Sequence, residues 1–217
     1  MALGDEFIRR GLRELGIEPA APLISDLNFF LDELLIWNKK TNLVGTADRD
    51  GIIIRHVFDS LTVYPLLQGL KNPILDIGAG AGFPSIPLAL ADRGLRFEAA
   101  ERRSRRAAFL RNVSGMLGLA NYRVLECDAG DIPSPPGYDV VLARGVGEAA
   151  LLYRVARNLL KESGMIIAFK GKIQEIDKEM ARLREQINGD ENNVRFRVQK
   201  VRVPSLDEER NIVIIET

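Results

Sequence analysis

The stretch Ile74-Leu75-Asp76-Ile77-Gly78-Ala79-Gly80-Ala81-Gly82-Phe83-Pro84 decides how this chain folds. It runs from a short apolar segment through three alternating glycines to a proline. Glycine permits a tight turn and leaves bare backbone for a ligand, and proline is accepted in the first turn of a helix. These features are typical of the strand, loop and helix that hold a nucleotide-like ligand in α/β proteins.

Strand-like apolar segments alternate with helical patterns after residue 72. The predicted strands are 73–77, 96–100, 122–126, 138–142 and 165–169, and the predicted helices are 84–92, 103–119 and 148–161. This order indicates consecutive βαβ units and hence a doubly wound, Rossmann-like α/β sheet. Two further strand-like runs, 194–203 and 210–215, are too close in sequence for a crossover helix. They are predicted to form an antiparallel C-terminal hairpin at one edge of the sheet.

The first seventy residues are predicted to be helical. Apolar residues recur at helical spacing over 22–40, and a second helical stretch over 51–67 is predicted to stop near Pro65. We therefore expect an N-terminal helical extension, residues 1–70, before a Rossmann-like domain, residues 71–217. The two should form one compact unit, because 217 residues with 46% hydrophobic content suit one sizeable core.

Composition restricts the partners and the compartment. Thirty basic residues balance thirty acidic ones, so any nucleic acid must be held by a local cluster of cations. The single cysteine, Cys127, excludes an intramolecular disulfide and fits a reducing compartment. The sequence has no signal-peptide pattern and no apolar run of about 18 residues. We expect a cytoplasmic monomer with no membrane partner and no metal site.

The spacing of the glycines bears on the cofactor. A dinucleotide fingerprint is G-x-G-x-x-G, whereas Phe83 stands where the third of those glycines would be. S-adenosylmethionine (SAM) has no pyrophosphate, and its ammonium favours a nearby carboxylate such as Asp76. Glu101 ends the second predicted strand, where a carboxylate can accept hydrogen bonds from both ribose hydroxyls of an adenosine. SAM is the favoured ligand, with a dinucleotide or a purely structural turn as alternatives. The loop glycines expected to contact it are Gly78, Gly80 and Gly82.

Two cations follow the last two strands of the predicted parallel sheet. Arg144 comes just after the fourth strand and Lys170 just after the fifth. Ligands collect beyond the carboxyl ends of such strands, so both should border the acceptor cleft unless they only cap strand ends in solvent. A third cluster, Arg102 to Arg106 with Arg111, is either a solvated helix face or a set of RNA phosphate contacts.

The chemistry of the acceptor is narrowed by missing motifs. No Asn/Asp-Pro-Pro-aromatic tetrapeptide follows the fourth strand, and Cys127 does not follow that strand as a carbon-attacking thiolate would. Methylation of adenine N6 and of pyrimidine C5 is therefore disfavoured. A ring nitrogen that is already nucleophilic needs only positioning, so the catalytic residues stay unassigned and no general base is named.

Nearly the whole chain resembles a known family, the bacterial 16S ribosomal RNA guanine-N7 methyltransferases, first named glucose-inhibited division protein B. The glycine loop is shared by many methyltransferases, but the first two of the matching segments are specific together. The matching segments are Trp37-Asn38-Lys39-Lys40-Thr41-Asn42-Leu43, Arg55-His56-Val57-Phe58-Asp59-Ser60, the stretch 76–87, Ala143-Arg144-Gly145, Phe169-Lys170-Gly171, Pro204-Ser205-Leu206 and Glu209-Arg210.

The resemblance implies methyl transfer from SAM to N7 of one guanine in 16S rRNA, either naked or within a small ribosomal subunit particle. It implies cofactor contacts at Gly78, Phe83, Ala129, Gly130 and Arg144. Where relatives commonly carry a basic residue and then a glutamate, this chain has Asp128-Ala129-Gly130-Asp131. Backbone contacts to adenine survive that departure, whereas a side-chain contact would be lost or moved to Asp131.

The matched motifs also supply candidates on the acceptor side. His56, Arg144 and Lys170 are expected nearest to the chemistry, and we hypothesise that Arg144 or Lys170 donates to guanine O6 and leaves the adjacent N7 free. The expected substrate-binding residues are Asn38, Asn42, Arg55, His56, Asp59, Ser60, Lys170 and Arg210. The alternatives are a methyltransferase for a small molecule or protein and, more remotely, an NAD-binding or non-catalytic RNA-binding Rossmann protein.

Overall fold

The computed structural model describes residues 4–45, 48–133, 137–187 and 195–216. In this part of the chain the strands are β1 Ile74–Ile77, β2 Phe97–Ala100, β3 Tyr122–Leu125, β4 Tyr138–Arg144, β5 Leu160–Lys170, β6 Arg195–Val201 and β7 Arg210–Glu216. They form one sheet in the order β3-β2-β1-β4-β5-β7-β6. The first five strands run parallel, and β7 pairs antiparallel with both β5 and β6. The predicted α/β sheet with an antiparallel C-terminal hairpin is confirmed.

Both faces of the sheet are covered, because successive residues of each strand point to opposite sides. Ile74 and Val140 belong to one buried cluster, while their neighbours Leu75 and Val141 belong to another. The helices are α1 Asp5–Glu14, α2 Ala21–Thr41, α3 Arg49–Ile52, α4 Asp59–Leu61, α5 Tyr64–Leu67, α6 Ser85–Ala91, α7 Ser104–Met116, α8 Ala149–Ala156 and α9 Ile173–Ile187.

The second half of the chain differs from prediction at two places. The predicted helix 148–161 ends early, since Leu160 already pairs with Tyr138 as the first residue of β5. Helix α9 was not predicted, although Ile176, Met180 and Leu183 are buried at helical spacing. In the predicted strand 194–203, residue 194 lies outside the described residues, and β6 ends at Val201.

The predicted helix 51–67 is wrong in detail, because the chain breaks into short helices there. Between α3 and α4 lies a π-helix, Ile53–Phe58. Pro65 does not stop a helix but lies in the first turn of α5, where a missing N–H costs nothing. The helix predicted at 22–40 is confirmed as α2. The division of the chain at residue 70 stays a prediction.

Helix α2 packs on the glycine loop and on α7 through aromatic rings. Phe30 meets Phe83 edge to face, with ring centroids 5.4 Å apart. Phe109 of α7 lies 6.4 Å from Phe30 and 5.6 Å from Trp37, again between centroids. The N-terminal helices therefore share the buried cluster on one face of the sheet. None of the described helices is long and apolar enough to cross a membrane.

Candidate active site

Two cavities open at the carboxyl ends of the parallel strands. The β5-side cavity, about 480 Å³, is bordered by His56, Asp59, Phe83, Arg144, Phe169, Lys170, Arg210 and the loop residues Leu43 to Gly45. The β2-side cavity, about 410 Å³, is bordered by Ala100, Glu101, Arg102, Arg103, Cys127, Ala129, Val146, Leu151 and Val155. Gly78, Arg106 and Gly145 border both. The two cavities therefore meet over the glycine loop, where one elongated ligand can occupy both.

The β2-side cavity has the features of an adenosine site. Glu101 is only 4% exposed. Its carboxylate accepts hydrogen bonds from the backbone N–H of Gly80 at 3.0 Å and of Arg103 at 2.8 Å. Each carboxylate oxygen keeps a lone pair for a ligand hydroxyl. Leu151 borders the same cavity and is 50% exposed, so it offers an apolar wall that a flat base would cover. These residues fit the adenosine end of SAM.

Residues 128–130 support this wall through the backbone. Ala129 borders the cavity, while the Asp128 carboxylate accepts a hydrogen bond from the Gly130 N–H at 3.2 Å. Gly130 itself does not border either cavity, and neither does Asp131. The predicted contact at Ala129 is therefore well placed, whereas Gly130 shapes the turn behind it.

The three loop glycines lie in different surroundings although all have a positive φ, of 68°, 57° and 85° along the chain. Gly78 and Gly80 line the cavities. Gly82 faces the interior, where an added methyl group would lie 2.4 Å from the Cδ1 atom of Ile86. Gly82 borders neither cavity, so its cofactor contact stays a prediction, and the glycine permits close packing of α6.

Asp76 lies beneath the loop and borders neither cavity. Its carboxylate is fully buried and accepts a hydrogen bond from the Ser85 hydroxyl, which in turn lies 2.9 Å from the Tyr122 hydroxyl. Burial raises the pKa of Asp76 to about 7. The other oxygen, Oδ1, is buried and has no hydrogen-bond partner among the described residues, so the contact with a ligand ammonium stays a prediction.

His56 and Phe83 form a flat surface in the β5-side cavity. Their rings stack with centroids 5.1 Å apart and planes inclined by 24°. Nη2 of Arg144 lies 2.6 Å from Nδ1 of His56. Because arginine only donates, Nδ1 accepts, and the proton of the neutral ring belongs on Nε2. Burial, and then the charges of Arg144, Arg55 and Arg210, lower the pKa of His56 to about 4. His56 is therefore neutral at pH 7.

A chain of ion pairs surrounds this surface. Arg144 binds Asp59 at 3.0 Å, and Arg210 lies 3.7 Å from the other oxygen of the same carboxylate. Glu208 then pairs with both Arg210 and Arg55. Burial raises the pKa of Asp59, and the two arginines that face it oppose the rise. The network joins the π-helix, the end of β4 and the start of β7, so it fixes the cations around the cavity.

Lys170 also borders the β5-side cavity. Its ammonium lies 2.7 Å from the Glu179 carboxylate and donates to the Gly147 carbonyl at 3.2 Å. Lysine carries three donors, so one more N–H is left for a ligand. Arg144 also donates to the Arg55 carbonyl, at 2.8 Å. The structure thus brings Arg144, Lys170, His56, Asp59 and Arg210 together as predicted neighbours.

The other predicted substrate-binding residues lie behind the cavity wall. Asn38 exchanges two hydrogen bonds with the Val44 backbone, at 3.2 and 2.9 Å, and Asn42 ends α2 in the left-handed conformation with φ 47°. The buried Ser60 hydroxyl donates to the His56 carbonyl at 2.5 Å. Arg55 pairs with Glu208 without bordering the cavity. These side chains hold the residues that do line the site.

Sequence reasoning missed several lining residues. Leu43 to Gly45 form part of the wall, placed there by the bonds from Asn38. Phe169 precedes Lys170 and gives the cavity a second aromatic side chain. Arg106 was predicted only as a member of a basic cluster. Its position in the first turn of the helix that follows Glu101 could have indicated that it lies near the cofactor. In the described ranges no group of three or more His, Cys, Asp or Glu residues could hold a metal ion.

Comparison with known proteins identifies the family. The family model described as rRNA small subunit methyltransferase G matches residues 23–213. The chain belongs to this family. The small subunit methyltransferase G of Borrelia turicatae is 34% identical over 82% of this chain and 86% of its own length. The one from Neisseria gonorrhoeae is 32% identical over 97% of both chains. The predicted family is confirmed, and with it an enzyme that uses SAM to methylate.

Solved structures support the fold independently of this sequence similarity. A SAM-dependent methyltransferase from Aquifex aeolicus aligns with a TM-score of 0.56 at 19% identity, covering 76% of this chain and 92% of its own. A SAM-dependent O-methyltransferase from Thermotoga maritima gives 0.56 at 15% identity, covering 73% and 64%. This member of the rRNA small subunit methyltransferase G family therefore shares its Rossmann-like architecture with other methyltransferases.

Proposed function

We propose that this chain transfers the methyl group of SAM to N7 of one guanine in 16S rRNA. The observation that carries the proposal is the β5-side cavity beside the glycine loop. There a stacked His56–Phe83 surface faces two cations, Arg144 and Lys170. An aromatic surface suits a base, and cationic donors suit the guanine oxygen O6, which adjoins N7. Membership in the rRNA small subunit methyltransferase G family supports the choice of RNA.

The residues of the β2-side cavity would hold the cofactor. Glu101 would accept from the ribose hydroxyls, and Leu151 with Val155 would cover the base. Gly78 and Gly80 allow the rest of the molecule to lie on bare backbone. When bound, SAM supplies a methyl group on a positively charged sulfur, open to attack by a nucleophile.

The side chains around the acceptor suit a nucleophile that needs no deprotonation. His56 is neutral, and its Nδ1 lone pair accepts from Arg144. Asp59 is bound between Arg144 and Arg210. Neither is therefore arranged as a general base. N7 of guanine carries its own lone pair, so orientation alone is required, and a donor on O6 would provide it. We assign that donor to Arg144 or Lys170.

The acceptor is proposed to be RNA, either naked or within an assembling small subunit, bound by a monomer in the cytoplasm. Because positive and negative residues are equal in number, binding must come from local cations. Arg103, just before α7, is exposed at the β2-side cavity and is available for a phosphate.

Transfer assays with labelled SAM test the proposal. Isolated 16S rRNA and small subunit particles, both from cells that lack this enzyme, are the two substrates. At least one of Arg144→Gln and Lys170→Gln should lower kcat on the better substrate by roughly tenfold or more, because the charged donor to O6 is lost. Arg154→Gln is the matched control and should leave the rate unchanged, because Arg154 is exposed on α8 and borders neither cavity. Unchanged rates for both site variants would rule out the O6 assignment.

A methyltransferase for a small molecule or protein is the competing function. It would share the β2-side cavity and every cofactor contact. If this is the function, neither RNA substrate will be labelled, and the protein will still bind the cofactor product, S-adenosylhomocysteine.

A further inference from the structure

Arg106 occupies the junction between the two cavities. It is half-buried in the first turns of α7 and borders both the β5-side and the β2-side cavity. Its Nη1 atom would lie 3.7 Å from a methyl group placed on Gly80, so the guanidinium lies directly over the glycine loop. That loop is the surface on which a ligand rests. Any molecule that spans the two cavities must pass beside this guanidinium.

Four of the five other cations that border the two cavities are paired within the described residues, and the fifth, Arg103, is exposed. Arg144 and Arg210 bind Asp59, Lys170 binds Glu179, and Arg102 lies 3.6 Å from Asp128. Arg106 forms no ion pair or side-chain hydrogen bond with any residue in the described ranges. Even Glu101, which binds the N–H of the nearby Gly80, directs its two oxygens to backbone donors. A half-buried, unpaired guanidinium on a ligand surface indicates a ligand anion.

We propose that Arg106 binds the α-carboxylate of the methionyl group of SAM. The inference rests on the proposed function and adds a residue to it. With adenosine at Glu101 and the methyl group directed to the β5-side cavity, the amino-acid end of the ligand remains at the junction. Its carboxylate matches the planar donors of a guanidinium, which bind two oxygens at once. Arg106 thereby orients the methionyl group so that the sulfur faces the acceptor.

A phosphate of the RNA acceptor is the other anion that reaches this junction. The two anions differ in one useful respect: the cofactor product can be tested without RNA. S-adenosylhomocysteine carries the α-carboxylate, and 5′-methylthioadenosine has the same adenosine and thioether but no amino-acid group. Their binding to the folded protein separates a carboxylate contact from every other effect.

The experiment measures the dissociation constants of both compounds by titration calorimetry for wild type, Arg106→Gln, Arg106→Lys and Arg105→Gln. Arg105 precedes Arg106 on the same helix but is exposed and borders neither cavity, so it is the matched control. Arg106→Gln should weaken S-adenosylhomocysteine by roughly tenfold or more and leave 5′-methylthioadenosine unchanged. Arg106→Lys should recover part of the affinity, because it keeps the charge but loses the paired donors.

Three results would overturn the inference. Equal weakening of both compounds would show a general disturbance of the cavity. An unchanged affinity for S-adenosylhomocysteine with a higher KM for RNA would assign Arg106 to a phosphate. If the wild-type protein binds neither compound, the cofactor assignment itself is refuted. That outcome differs from one in which the wild type binds both and substitution of Arg106 changes nothing. If Arg106→Gln does not fold, Arg106→Lys still tests the inference. A carboxylate contact requires that this variant lose affinity for S-adenosylhomocysteine and not for 5′-methylthioadenosine.

Discussion

His56 lies in the π-helix with its ring against Phe83 and its Nδ1 atom 2.6 Å from Arg144. It is the only histidine of the chain, so its titration is not mixed with that of another imidazole. Three arginines and burial all oppose a positive charge on the ring. The neutral ring therefore serves as a flat surface and a hydrogen-bond acceptor, and it orients Arg144 instead of moving a proton.

This state of His56 predicts a pH dependence of stability. The pKa falls from 6.5 in the unfolded chain to about 4 in the folded protein. The stabilising contribution of the neutral ring is therefore fully present above pH 6.5 and is lost as the pH falls toward 4. The difference in unfolding free energy between wild type and His56→Gln should shrink over that window, with a slope below about 1.4 kcal/mol per pH unit. Urea denaturation at several pH values measures it, and a difference that stays constant from pH 7 to 4 would contradict the neutral ring.

Glu101 predicts an effect on cofactor affinity. Its carboxylate is held by the N–H groups of Gly80 and Arg103, and the residue borders the β2-side cavity. Glu101→Gln removes the charge and should weaken S-adenosylhomocysteine by roughly tenfold, as expected for a charged hydrogen bond. Glu126→Gln is the control, because Glu126 pairs with Arg111 outside both cavities. Equal affinities for the two variants in calorimetry would exclude a ribose contact at Glu101.

Residue types and motifs predicted which side chains surround the site better than which of them face it. Arg144, Lys170 and His56 border the β5-side cavity as strand ends and motifs suggested. Ser60 and Asn38 belong to the same set of motifs, yet Ser60 hydrogen-bonds to the backbone of the π-helix and Asn38 to the backbone of the loop after α2. The direction of a side chain within a π-helix or a loop depends on tertiary packing, which a motif does not encode.

Helix α1 packs closely against the π-helix at Gly11. A methyl group on Gly11 would lie 2.2 Å from the Phe58 ring at the end of the π-helix. Gly11→Ala should therefore lower the free energy of unfolding by about 1–3 kcal/mol through overpacking. Gly115→Ala in α7 is the matched control, since nothing lies within 4 Å of its added methyl group. That variant should be neutral or stabilised by up to about 1 kcal/mol. Thermal and urea unfolding compare them, and similar stabilities would show that α1 does not pack as described.

Helices and strands were predicted correctly where the local sequence pattern agrees with the tertiary contacts. Strands β1 to β4 and helix α2 were found within a few residues of their predicted bounds. The boundary between α8 and β5 was missed, because Leu159 and Leu160 fit a helical pattern and only the pairing with Tyr138 makes a strand of the latter. The π-helix was also invisible to periodicity, since one wider turn shifts the register without changing residue types.

The charge of the whole molecule predicts how RNA binding responds to salt. Equal numbers of acidic and basic residues leave no long-range attraction, so affinity for RNA must depend on a few local contacts. If three or more phosphates are neutralised, affinity should fall roughly tenfold or more between about 50 and 200 mM salt. Affinity for S-adenosylhomocysteine should change little over the same range. Filter binding and calorimetry provide the comparison, and an RNA affinity that does not depend on salt would oppose a phosphate-bound acceptor.

The proposed reaction places a methyl group on one atom of one nucleotide, so the most direct test is to map the methylated position in the rRNA. Small-subunit rRNA from cells with and without this enzyme is digested and mapped by mass spectrometry. We expect a single N7-methylguanine that is present with the enzyme, absent without it, and restored by the wild-type chain but only weakly by the double variant Arg144→Gln/Lys170→Gln. Identical methylation of the rRNA in the two strains, or a difference at a base other than guanine, would contradict it.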